Sequence, residues 1–237
     1  MPELLFQDDG YLRECAASVT VADERGIQLD RTVFYAAGGG QPGDCGRLVL
    51  GDGSPIEIVD TRKGEEIGSV VHVPESPVSA DIVGSEVTAV IDWERRHRLM
   101  RMHTCMHLLS VLIKADVTGG SIRDGSGRLD FDLPEPLQDK EHLTRELNRL
   151  VEQDLPVSTI WVTDEELAAR PELVKTMSVK PPSGHGRVRL LAIGDVDLQA
   201  CGGTHVARTG EIGAVAITKI EKKGRQNRRV NIAFAPA

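Results

Sequence analysis

The chain has 237 residues, 40% of them hydrophobic but only 3% aromatic, with 27% charged residues and a formal net charge of −8. This length admits one large domain or two small ones, with a core built on Val, Ile and Leu. An acidic balance excludes bulk positive charge as a route to nucleic acid, so any RNA contact must come from local basic patches. No apolar run of roughly 18 residues exists to span a membrane. The start, Met1-Pro2-Glu3-Leu4-Leu5, lacks the basic opening and long apolar stretch of a secretory leader. The cysteines Cys15, Cys45, Cys105 and Cys201 suit metal binding or burial in a reducing cytoplasmic setting better than cross-linking.

Residues 1–90 read as β-rich. The short apolar runs Ala17–Val21, Leu48–Leu50, Ile56–Val59 and Val70–Val73 are punctuated by turn pairs such as Asp52-Gly53 and Lys63-Gly64. This pattern predicts a small β-barrel or sandwich. A further strand, Glu86–Ile91, leads into residues 91–237. There a helix is predicted from Trp93 to Ala115, with Asp92 as N-cap and Leu99, Met102, Met106, Leu109 and Ile113 on one face. A strand at Arg128–Leu133 and a helix at Gln138–Gln153 with the stripe Leu143, Leu147, Leu150 and Val151 come next. Then follow a strand at Val157–Val162, a short helix Asp164–Ala169 capped by Thr163, and strands at Arg187–Ile193, Val196–Ala200, Gly213–Ile220 and Arg229–Phe234. The fold class is therefore α+β: a small N-terminal barrel followed by a domain of sheet and helices.

Two clusters carry chemistry. In His103-Thr104-Cys105-Met106-His107 the histidines stand at i and i+4 of the strongest predicted helix, on one face and within reach of one ion. In Cys201-Gly202-Gly203-Thr204-His205 a thiolate and an imidazole flank two glycines. Either cluster alone is as well explained by ordinary surface or core residues. Together they supply His103, His107, Cys201 and His205, a donor set that zinc accepts in tetrahedral geometry. With three strong ligands the fourth place holds water or substrate; with four the ion is closed and positional. His72, His97, His142 and His185 have no such partners and read as surface or loop residues. The position after the first histidine is Thr104 rather than glutamate, which argues against a zinc peptidase. Nor is there a serine elbow or a phosphate-binding lysine loop, so no nucleotide cofactor is expected.

Two further features stand out. Gly38-Gly39-Gly40-Gln41, within Phe34–Asp44, permits backbone conformations closed to other residues; it serves a tight barrel turn or a close approach to RNA. Arg95, Arg96, Arg98 and Arg101 before the histidine pair, and Lys219, Lys222, Lys223, Arg225, Arg228 and Arg229 around Gly224, form two basic patches. Each suits a solvated surface or phosphate contacts.

Taken together, these stretches resemble the free-standing alanyl-tRNA editing proteins of the AlaX type, medium-length class, and the editing domain of alanyl-tRNA synthetase. The matching segments are Phe34–Pro42, Asp92–Arg96, His103–Leu109, Gly127–Phe131, Cys201–Gly213 and Lys222–Arg229. The resemblance implies zinc held by His103, His107, Cys201 and His205. It also implies hydrolysis in trans of Ser-tRNA(Ala), with Gly-tRNA(Ala) as a further substrate, by an aminoacyl-tRNA deacylase. Thr104 and Thr204, beside the ligands, are the expected partners for the serine hydroxyl or the attacking water, with support of the ligands as their other role. Where the family often has glutamine, near Thr118 and Ser121, this chain has none. The rivals are a threonyl-type editor, another zinc hydrolase and a non-enzymatic tRNA-binding module.

Overall fold

A computed structural model of the protein describes residues 1–137, 139–170, 173–174 and 186–236. The backbone falls into two compact units, Met1–His97 and Arg98–Ala237, and the division lies within a helix.

In the first unit, β1 (Glu3–Leu4) pairs in parallel with β4 (Arg31–Thr32). The strands β2 (Glu14–Asp23), β3 (Gly26–Leu29), β5 (Gly46–Leu50), β6 (Pro55–Lys63), β7 (Val70–Pro74) and β8 (Glu86–Ile91) close into a barrel of order β2-β3-β7-β6-β5-β8. Closure comes from antiparallel pairing of β8 with β2, from Glu14↔Val90 to Ser18↔Glu86, and leaves no free edge among these strands. Strand alternation turns Val87, Ala89 and Ile91 of β8 inward onto Ala17, Val19, Ile27, Leu48 and Ile58. Small aliphatic side chains fill a narrow barrel, which is why so few aromatics suffice.

Two buried polar groups tie this unit together. His72 on β7 is fully buried rather than at the surface or in a loop. Its ring stands edge-on to Phe34, with ring centroids 5.0 Å apart. Its Nδ1–H donates to Ile27 O (3.0 Å), and Nε2 accepts from Thr32 Oγ1 (2.8 Å). A carbonyl cannot donate, so the partner fixes the tautomer. Arg96 is the other: its guanidinium bonds Asp44, Val33 O (2.7 Å) and Gly10 O (3.1 Å) from a wholly buried position. Asp44 also accepts from the Tyr35 N–H (2.7 Å). The glycine-rich segment thus ends on a buried ion pair. Its tip is a two-residue turn closed by reciprocal backbone bonds between Gly38 and Gln41. Gly39 and Gly40 have φ of 57° and 84°, a requirement glycine meets without strain.

The second unit holds most of α1 (Trp93–Leu112), then β9 (Val117–Arg123), β10 (Ser126–Asp132), α2 (Lys140–Glu152), β11 (Val157–Thr163), α3 (Asp164–Ala168), β12 (Arg187–Ile193), β13 (Asp197–Ala200), β14 (Val215–Lys222) and β15 (Asn227–Phe234). Asp92 caps α1 by accepting from the Arg95 N–H (3.0 Å). Asp139 caps α2, which buries Leu143, Leu147, Leu150 and Val151. Thr163 and Glu166 form a capping box at α3. A four-stranded antiparallel sheet has the order β14-β15-β10-β9, and a three-stranded one the order β11-β12-β13. β9, which contains the Gly119-Gly120 pair and carries no strand signal of its own, is a strand by pairing with β10 from Ser126↔Arg123 to Phe131↔Val117. Among the described residues no helix is long and apolar enough to cross a membrane.

Candidate metal centre

α1 carries His103 and His107 one turn apart, with ring centroids 5.3 Å apart. β13 delivers the other pair as its chain leaves the sheet. The Cys201 N–H donates to Arg189 O of β12 (3.1 Å), and the chain then turns back so that the His205 ring lies 4.2 Å from that of His103 and 4.9 Å from that of His107. Cys201 Sγ is 3.2 Å from His205 Nε2 and 3.7 Å from His103 Nε2. One donor atom from each of the four residues falls within 4.8 Å of every other.

The supports behind the ligands aim them. Asp197, buried on β13, lies 3.1 Å from His107 Nδ1 and is itself held by Gln199 Nε2 (2.7 Å). Thr104 Oγ1 donates to Met100 O (3.0 Å), accepts from the Val206 N–H (3.3 Å) and lies 3.2 Å from His205 Nδ1. With Nδ1 engaged on both rings, Nε2 is the nitrogen left to face the cluster. Sequence reasoning missed Asp197 and Gln199. Their signal was the alternation Asp197-x-Gln199-x-Cys201, which puts Asp197 and Gln199 on one face of a strand that ends just before Cys201.

The electrostatics favour positive charge held between the thiolate and the imidazoles. Burial alone would push the Cys201 thiol up, but the adjoining charges of His103, His205 and His107 hold it well below the usual thiol range. For His107, burial opposes protonation, yet the Cys201 and Asp197 charges outweigh it and lift the imidazole to about 9. Burial and the His103 charge hold His205 well below the ordinary histidine range. Three inward imidazole nitrogens and a stabilised thiolate fit a divalent ion of zinc's preferences.

The alanyl-tRNA editing protein AlaX-M of Methanosarcina acetivorans is 35% identical over 97% of this chain and 98% of its own length. The AlaX-M of Saccharolobus solfataricus is 33% identical with both chains fully covered. This chain belongs to the alanyl-tRNA editing protein family. An alanine–tRNA ligase of Pyrobaculum calidifontis matches 92% of this editing-family chain at 36% identity, over 25% of the ligase. Residues 188–231, which include Asp197, Cys201 and His205, match the second additional domain of threonyl and alanyl tRNA synthetases; residues 8–95 match the class II (A) tRNA synthetases.

Several expected site residues lie elsewhere in this family member. Thr104 and Thr204 are wholly buried, and Thr104 bonds His205, the supporting role set beside the catalytic one. Arg96 belongs to the barrel's buried ion pair and is withdrawn from any RNA surface. Arg101 is spent on Ile212 O (2.7 and 3.0 Å) and the Phe234 ring. Arg228 is buried against Pro134 O, and Arg229 forms a two-pronged pair with Asp130 (2.7 and 2.8 Å). Lys222, Lys223 and Arg225 remain exposed at the β14–β15 hairpin. Gly38, Gly39, Gly40 and Gln41 form the barrel turn described above. Thr118 accepts from Asn227 Nδ2 (2.7 Å), and Ser121 pairs with Arg128, both on β9. His97 stacks on Trp93, His142 is half-buried in the first turn of α2, and His185 lies outside the described residues. Cys105 is core: burial pushes its thiol far up.

Proposed function

We propose that the chain removes amino acid from mischarged tRNA(Ala) in the cytoplasm, acting in trans on Ser-tRNA(Ala) and, secondarily, on Gly-tRNA(Ala). The observation that carries this is a four-donor cluster with oriented imidazoles, in a chain that matches free-standing editing proteins end to end. A site built for alanine cannot reject smaller glycine by size, nor strongly reject serine's extra hydroxyl, so a second hydrolytic site answers a chemical need.

The reaction is ester hydrolysis. The oxygen of water bonds to the carbonyl carbon, the ester C–O bond breaks, and the ribose oxygen leaves with the proton. His103, His107, Cys201 and His205 would hold zinc; bound by three of them it would supply Lewis acidity to the ester carbonyl or to water, and bound by all four it would position the terminal adenosine. Asp197 and Thr104 keep two of the imidazoles turned inward. Lys222, Lys223 and Arg225 are the cations offered to RNA phosphates, and they contribute affinity without reading sequence.

The test is deacylation of Ser-, Gly- and Ala-tRNA(Ala) and of Ser-tRNA(Thr), with zinc content measured on the same samples. Rapid loss of serine from tRNA(Ala), with Ala-tRNA(Ala) spared, is expected. Cys201→Ala is expected to lose both zinc and turnover. A variant that kept both would remove the site assignment. Preferential turnover of Ser-tRNA(Thr) would move the reading to threonyl-type editing. Bound zinc with every charged tRNA left intact would leave a binding module.

A further inference from the structure

We infer that Arg189 is the positioning residue for the loop that carries Cys201 and His205, an inference that rests on the metal reading of those residues. Cys201–His205 follows β13 without regular structure, so no neighbouring strand pairs its carbonyls. One side chain takes two of them. Arg189 NH1 donates to Gly203 O (2.7 Å) and Cys201 O (3.2 Å). Its NH2 donates to Thr159 Oγ1 on β11 (3.0 Å), which anchors the far side of the guanidinium. The same residue's main-chain oxygen accepts from the Cys201 N–H (3.1 Å). The backbone of Arg189 thus accepts from the Cys201 N–H while its side chain donates to the Cys201 carbonyl and, across the first glycine, to that of the second.

The need for such a grip follows from the loop's composition. Gly202-Gly203 lets the chain double back between the two ligands, but glycines also leave the loop the widest choice of other conformations. A ligand pair on a floppy loop must be ordered each time the ion binds, which lowers affinity. A planar guanidinium with several fixed N–H vectors bridges two carbonyls and a hydroxyl at once; a lysine ammonium carries one nitrogen and cannot span the same three acceptors in that geometry. Arg189 supplies no donor atom to the four-residue cluster. Its effect passes through the position of Cys201 Sγ and His205 Nε2.

The experiment measures zinc affinity by competition with a chromogenic chelator, together with amide hydrogen exchange of the zinc-free protein, for wild type, Arg189→Ala and Arg189→Lys. Circular dichroism verifies that each variant is folded. Loss of the grip is expected to weaken zinc binding by roughly 10- to 100-fold in Arg189→Ala, the range for residues that orient metal ligands, with Arg189→Lys between it and wild type. The bonded amides of Cys201 and Val206 are expected to exchange on the order of tenfold faster in the zinc-free variants, while the barrel strands are unchanged. Wild-type affinity and wild-type exchange in folded variants would overturn the inference. If Arg189→Ala does not fold, Arg189→Lys decides by the same criteria. A wild-type chain that bound no zinc would end the metal reading, and the exchange comparison would still judge whether Arg189 holds the loop.

Discussion

His72 must stay neutral for the barrel to stand. Its Nδ1–H and Nε2 are both used by neutral partners, Ile27 O and Thr32 Oγ1, and Thr32 Oγ1 in turn accepts from the Phe34 N–H (3.0 Å). A second proton on Nε2 would face the Thr32 oxygen with no counter-charge, and burial pulls the imidazole down to about 4 from its ordinary value of 6.5. The sign of the consequence is fixed. Between those two values the unfolded chain binds the proton and the folded chain does not, so stability falls as pH drops through that window and levels off below it. The slope reaches about 1.4 kcal/mol per pH unit and the total is on the order of 3 kcal/mol. Urea unfolding followed between pH 7 and pH 5 is expected to show this loss, and His72→Gln is expected to be less stable at pH 7 and to have a shallower slope over the same range, the remaining slope belonging to the clustered imidazoles of the second unit. An unchanged slope in the variant would assign the acid sensitivity to other groups. Asp130, held low first by Arg229 and then by Arg128, acts in a lower window, because its stabilising charge is lost only as pH falls below the usual carboxylate range.

At the scale of elements, α1 is where packing and chemistry share a helix. Met102 and Met106 each precede a ligand, and both rest on Gly127 of β10. A Cβ at that glycine would lie 2.7 Å from Met106 Sδ and 3.1 Å from Met102 Cγ and Sδ. Gly127→Val therefore crowds the two methionine side chains that lie between the sheet and the His103–His107 stretch of α1. Overpacking of this kind costs about 1–3 kcal/mol, and because His103 and His107 travel with the methionines, zinc affinity is expected to fall as well. Calorimetry and zinc titration on the same variant check both; a loss of stability with unaltered zinc binding would mean that the methionines absorb the clash alone. The same helix shows what a sequence can disclose. Its cap, its apolar stripe and its histidine pair are local, written at spacings of three and four, and all stand where the spacing put them. The barrel was legible for a similar reason, from alternation and turns. β9 was not, since Gly119-Gly120 carries no strand signal until β10 is beside it. The arginines' partners are hidden in the sequence for the same reason. Arg96, Arg101, Arg228 and Arg229 look alike in a sequence, and only Asp44, Ile212 O, Pro134 O and Asp130 show where their donors go.

For the whole molecule, the ligands join segments far apart in the chain. Cys201 stands 98 positions after His103, so an ion held by all four closes a long loop, and it binds the folded arrangement far better than an unfolded chain. Such binding stabilises by mass action, about 2.7 kcal/mol when free zinc is a hundredfold above its dissociation constant. All four members of the candidate metal cluster belong to Arg98–Ala237, and Met1–His97 contributes none. Removing the ion with a chelator is therefore expected to act unevenly. Amide protection should drop in the His103–Leu112 part of α1, in β13 and at Cys201 and Val206, while β2, β5 and β8 of the barrel keep theirs. Restoring zinc should return protection, and magnesium should not, because a hard ion that favours oxygen donors has little use for a thiolate and three imidazoles. Acid is expected to mimic the chelator in this unit, since protons compete for the same nitrogens and sulfur, and it separates from the His72 effect by location: one loss maps to the ligand-bearing unit and is reversed by added zinc, the other maps to the barrel and is not. Uniform loss of protection across both units on chelation would show that the ion supports the fold as a whole, and the division of labour between barrel and metal unit would have to be given up.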